Sequence, residues 1–98
     1  MVAGYFIFEL DIFDQAGFEE YRKVARIDLL TRMGGEIVVN SQRIEPLEGD
    51  WSPSSIVIAR FPTFDAARDF YNSSEYQAVI GMRRRSAKSR GILVESKD

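Results

Sequence analysis

Cysteine and histidine are both absent from this chain. Their absence removes thiol nucleophiles, disulfides, the side chain that most often acts as a base near neutrality, and the usual ligands of zinc and haem. Any chemistry must use carboxylates, tyrosines, arginines or lysines. There is also no glycine-rich phosphate loop, no metal-spaced set of carboxylates and no catalytic triad, so no metal or cofactor is expected. No apolar run approaches the ~20 residues that span a bilayer, and the N-terminus lacks a basic stretch ahead of an apolar core. The expectation is therefore no membrane partner, no signal peptide and a cytoplasmic location. A net charge of -2 sets up no field that would gather nucleic acid or anionic lipid.

What is present fits one domain over residues 1–98. An apolar fraction of 45% beside 29% charged residues belongs to a globular chain, not a disordered one. At this length the buried fraction of surface is modest, so association with a second copy would help stability.

The stretch from Phe61 to Ala87 organises the rest. Pro62 biases Phe61 towards extended backbone and ends a strand. Thr63 can cap a helix whose first turn holds Asp65 and whose stripe is Ala66, Ala67 and Phe70. Asn72, Ser73 and Ser74 break that pattern. Ser74 with Gln77 matches a capping box, which predicts a second helix from about Glu75 with Tyr76, Val79 or Ile80, and Arg83 on one face.

Upstream, residues 2–10 alternate as a strand, with Phe6, Phe8 and Leu10 on one face and Tyr5, Ile7 and Glu9 on the other. Asp14 is a candidate N-cap for a helix to about Met33, with Phe18, Tyr21, Ala25, Leu29 and Met33 as its stripe and Arg22, Lys23 and Arg26 largely off it. Gly34-Gly35 supplies the stop. Residues 36–45 read as a second strand, 46–55 as a loop or hairpin connection around Gly49, Trp51 and Pro53, 55–61 as a third strand, and 89–95 as a fourth. Strand, helix, strand, strand, helix, short helix, strand is the split βαβ, ferredoxin-like order: an α+β protomer with a four-stranded antiparallel sheet and its helices on one face. The other face, with Tyr5, Ile7, Ile56 and Ile58, lacks intramolecular cover, which predicts a homodimer.

The ordered set Tyr5-Phe6-Ile7-Phe8-Glu9, Phe18-Glu19-Glu20-Tyr21, Gly34-Gly35, Leu47-Glu48-Gly49-Asp50-Trp51, Phe61-Pro62-Thr63-Phe64-Asp65-Ala66-Ala67, Tyr71-Asn72-Ser73-Ser74-Glu75-Tyr76-Gln77, Arg83 and Leu93-Val94-Glu95 resembles the bacterial family called domain of unknown function 1330, of the dimeric α/β-barrel superfamily. The resemblance spans nearly the whole chain. It implies a ferredoxin-like protomer whose sheet pairs with a second one to make a barrel, and it implies no established reaction. The chain departs from the family at Arg60, where members often carry a carboxylate, and at Arg26-Ile27-Asp28, where members vary.

Six residues are candidates for a ligand site: Tyr5, Glu9, Trp51, Arg60, Tyr76 and Arg83; no catalytic residue is assigned. Glu9 and Arg60 are expected to pair on the covered sheet face, either as a structural ion pair or with Arg60 gripping a ligand carboxylate. Trp51 is either a staple over the core or partner, or the wall of a cleft. Arg83 continues the Tyr76 face and is expected to turn inward, whereas Arg84, Arg85, Lys88 and Arg90 suit a solvated helix end. Tyr21 is most simply packing. RNA recognition motifs share this topology, but Ser55-Ile56-Val57-Ile58-Ala59-Arg60-Phe61 lacks their glycine and aromatic spacing, so no nucleic acid is expected. Three functions compete: a dimer binding a small organic molecule on the sheet face, a cofactor-independent oxygenase- or isomerase-like enzyme on a small aromatic or lactone substrate, and a structural or regulatory dimer without a ligand.

Overall fold

The computed structural model describes residues 2–97. Strand β1 (Gly4–Ile12) leads into helix α1 (Gln15–Arg22), which widens into a π-helical stretch over Lys23–Leu30. Strands β2 (Glu36–Ser41) and β3 (Ser55–Phe61) follow, then helices α2 (Phe64–Asn72) and α3 (Ser74–Arg84), and strand β4 (Ala87–Glu95) closes the chain. The sheet runs β2-β3-β1-β4, antiparallel throughout. This is the ferredoxin-like α+β fold that the element order predicts.

The helix starts obey local chemistry. The Asp14 carboxylate accepts from the Gly17 amide at 3.1 Å, and the Thr63 hydroxyl accepts from the Ala66 amide at 3.0 Å. Gly34, at φ +94°, takes the left-handed position that ends the first helix, and the Gly35 amide donates back to the Leu30 carbonyl at 2.9 Å.

Three expectations need correction. The second strand stops at Ser41, not near residue 45, because the Ser41 hydroxyl accepts from the Arg43 amide at 3.0 Å and turns the chain. The fourth strand begins earlier, at Ala87. The cap of α3 is Ser73, not Ser74. The Ser73 hydroxyl accepts from the Tyr76 amide at 3.1 Å and donates to the Phe70 carbonyl at 2.7 Å, so one side chain closes α2 and opens α3. Gln77 does not complete a box; its amide donates to the Tyr71 carbonyl at 2.7 Å. Ser73→Ala should therefore cost about 1–2 kcal/mol and Ser74→Ala no more than about 0.5, as read from urea midpoints. Equal losses would contradict this assignment.

The core lies between the helices and one sheet face and is strongly aromatic. Phe6 meets Phe61 edge-on at 5.9 Å between centroids; Phe61 contacts Phe70 at 5.2 Å, and Phe70 contacts Tyr76 at 4.8 Å. The opposite face carries three rows across the strands. One row is Glu36, Arg60, Tyr5 and Val94; the next is Val39, Ile58, Ile7 and Ile92; the third is Ser41, Ile56, Glu9 and Arg90. Val39 reaches its row because the pairing slips between Ile37 and Val39, leaving Val38 as an extra residue. The middle row is apolar from edge to edge, and Ile92 in it is 59% exposed.

Candidate functional site

Those rows decide which charges meet. Arg60 stands opposite Tyr5 and Glu9 opposite Ile56, four residues apart along β1, or about 13 Å. The expected Glu9–Arg60 pair does not form. Glu9 instead pairs with Arg90 across the β1–β4 ladder at 2.7 Å and accepts from the Trp51 indole at 3.3 Å, while Arg60 lies 3.8 Å from Glu36. Trp51 is 50% exposed, so it is tied to the helix-free face and does not cover the core. Tyr5, Glu9, Arg60 and Trp51 thus share that face, at separate positions on it.

Tyr76 and Arg83 lie on the other side of the sheet, where the structure opens a cavity of about 50 Å³ between helices and strands. Its walls are mainly apolar, from Phe6, Phe8, Leu30, Ile37 and Phe70 among others. The polar side chains among its lining are three tyrosines, Tyr21, Tyr71 and Tyr76, and two arginines, Arg26 and Arg83. Helix periodicity carries Tyr76, Ile80 and Arg83 to one buried face, as expected of α3.

Tyr21 and Arg26 are the residues sequence reasoning missed. Tyr21 sits on the predicted stripe, but its hydroxyl is 2.7 Å from that of Tyr76, so it is also a polar member of the site. Arg26 follows Tyr21 by five residues, which on a regular α-helix would turn it about 140° away. The π-helical stretch over Lys23–Leu30 bonds i to i+5 instead and so takes more residues per turn, which brings Arg26, inside it, back towards the side that Tyr21 occupies just before it. Tyr21 with Arg26, and Ala25 with Leu30, therefore face the cavity together. The stretch has no proline and no sequence signature; two tyrosines on two core stripes were the only available hint.

Arg83 is 5% exposed. Its guanidinium lies over the Phe8 ring at 4.7 Å, and its Nη1 donates to the Tyr76 hydroxyl at 3.3 Å. Its Nε is buried without a hydrogen-bond partner. No carboxylate among the described residues forms an ion pair with Arg83 or Arg26. Burial, followed by the neighbouring Tyr21, pushes the Tyr76 hydroxyl well above the usual tyrosine range, so it keeps its proton. Burial also pushes Arg26 down, though a guanidinium remains a cation. The site can therefore donate hydrogen bonds and neutralise negative charge. It holds no carboxylate, histidine or lysine to accept a proton. Among the described residues no three potential ligands gather to hold a metal ion.

Phe8 is kept in place from below. Gly91 faces it across the β1–β4 ladder, and a Cβ there would run into the Phe8 ring. Phe8, Tyr71 and Arg83 also line an open cleft of about 500 Å³ on the outer side, next to Arg84 and Lys88.

No functionally curated protein matches the chain. Among solved structures, the RPA0582 protein of unknown function from Rhodopseudomonas palustris is similar, with TM-score 0.75 and 17% identity over 99% of this chain and 84% of that one. SnoaB, a cofactor-independent oxygenase from Streptomyces nogalater, is similar with TM-score 0.70 and 18% identity, over 100% of this chain and 96% of its own. A putative antibiotic biosynthesis monooxygenase from Nitrosomonas europaea follows with TM-score 0.54 and 13% identity, over 98% and 90%. At these identities the likeness establishes the fold. Residues 3–97 match the model of the domain of unknown function DUF1330, and the chain belongs to that family.

Proposed function

We propose that this protein binds a small organic molecule in the cavity between its helices and sheet, and does so as a cytoplasmic homodimer joined through the helix-free face. The observation that carries the binding reading is a buried guanidinium without a counter-charge in a largely apolar cavity. Such a group is costly to keep unless something else supplies the missing partner. The cavity lies on the helix side of the sheet, so the helix-free face is free to serve as the dimer interface. There the apolar row of Val39, Ile58, Ile7 and Ile92 forms a core, and the Glu36–Arg60 and Glu9–Arg90 pairs lie at its margins.

A second reading, cofactor-independent catalysis on a small aromatic or lactone substrate, draws its support from the likeness to SnoaB, itself a cofactor-independent oxygenase. The donor-rich cavity would suit a reaction that develops negative charge on oxygen.

Titrating a small-molecule fragment library into labelled protein tests the site. Binders should move the aromatic resonances of Tyr21, Phe70 and Tyr76 and leave Tyr5 unmoved. In sedimentation at micromolar concentration the wild type should run as a dimer, and Ile58→Asp as a monomer, because two carboxylates would be buried in the apolar row. Binders that shift only Tyr5 and its neighbours, or a wild-type monomer, would refute the respective half.

A further inference from the structure

We infer that the ligand is a small organic carboxylate whose head is clamped by the Nε–Nη2 edge of Arg83; this rests on the binding reading above. Arg83 spends Nη1 on Tyr76, and no protein group bonds its Nε or Nη2 among the described residues. That edge is a planar two-pronged donor matched to a carboxylate. The chain uses the same edge elsewhere. Arg22 grips Glu19 with Nε at 3.0 Å and Nη2 at 2.7 Å, and Arg32 takes Asp28 with Nε at 3.3 Å and Nη2 at 3.5 Å. Among the described residues only Arg83 has a buried Nε without a hydrogen-bond partner.

The hydroxyls point the same way. Tyr21 and Tyr76 share one hydrogen bond between them, so one of their two hydrogens lacks a protein acceptor whichever of them donates. The side chains lining the cavity therefore offer spare donors and a second guanidinium from Arg26, and no acceptor other than tyrosine hydroxyls. A neutral amide would bring donors of its own that find few partners, whereas a carboxylate only accepts. Because no group there can act as base, the ligand must arrive already ionised.

Size sets the rest. At about 50 Å³ the cavity is about a third of the ~150 Å³ that accommodates benzene, so it takes a carboxylate head and little more. Phe8, Tyr71 and Arg83 line both the cavity and the outer cleft of about 500 Å³, so the ligand body extends past them into the cleft beside Arg84 and Lys88.

Matched pairs test this: acetate, butyrate and hexanoate against acetamide, butyramide and hexanamide at pH 7, titrated into the full chain. Each acid should bind at least about tenfold tighter than its amide, and should move the Arg83 Nε–H resonance, assigned by its loss in Arg83→Lys. Arg83→Met should abolish the preference. If that variant fails to fold, the wild-type resonance still decides. Acids and amides that bind alike while shifting Tyr76 would overturn the carboxylate assignment and leave the small-molecule site standing. Probes that leave Tyr76 and Arg83 unmoved while shifting Tyr5 would overturn both.

Discussion

Replacing Arg83 by methionine is expected to make the unliganded protein more stable, although a salt-free reading of its contacts would suggest a loss. The side chain is 5% exposed, has no carboxylate beside it and leaves Nε without a partner. Methionine follows the same path as far as the Nε position, stays flexible and carries no charge to desolvate. Exchanging even a paired buried ion for apolar residues is often neutral or stabilising by 1–4 kcal/mol, and a lone cation has less to lose. The urea midpoint should rise by the equivalent of about 1–4 kcal/mol with an unchanged slope. Stability gained where binding is lost marks a residue kept for function. A fall of more than about 1 kcal/mol would mean that the Phe8 stack and the Tyr76 bond are worth more than the desolvation they offset.

Phe61→Ala should cause the largest loss of any single change, about 3–5 kcal/mol, out of a total that for such domains is about 5–15 kcal/mol. Phe61 is wholly buried and contacts Phe6 and Phe70, which both line the cavity. Its other side is closed by Gly35, where even a Cβ would come within 2.6 Å of the ring. Neighbours packed this closely cannot collapse far into the space left behind, so the cavity term stays large. Chemical denaturation measures the loss directly. A value under about 2 kcal/mol would show that the aromatic cluster repacks more freely than its geometry implies.

Much of this fold was legible because its signals are local. Alternation assigned the two faces of β1, Asp14 and Thr63 announced their helices, and Gly34-Gly35 announced an end. The candidate site was legible only in part, because its geometry depends on offsets that alternation does not report. Alternation placed Glu9 and Arg60 on one face correctly but was silent on their distance along it, which strand register sets. Helical periodicity brought Arg83 inward yet sent Arg26 outward, since a 3.6-residue repeat cannot foresee a stretch bonded i to i+5. Ser73 and Ser74 were equally good caps by residue type; packing of Tyr76 into the core chose between them. The extra residue at Val38 has no sequence mark either, and it moves Val39 into the apolar row.

A crystal structure of the wild type grown with butyrate puts the site to its most direct test. One carboxylate should lie in the helix–sheet cavity, with oxygens about 2.7–3.2 Å from Arg83 Nε and Nη2 and one of them within reach of the Tyr21–Tyr76 pair. Butyrate found only on the helix-free face near Arg60, or a cavity with Arg83 bonded to protein groups and no room for an anion, would contradict the assignment.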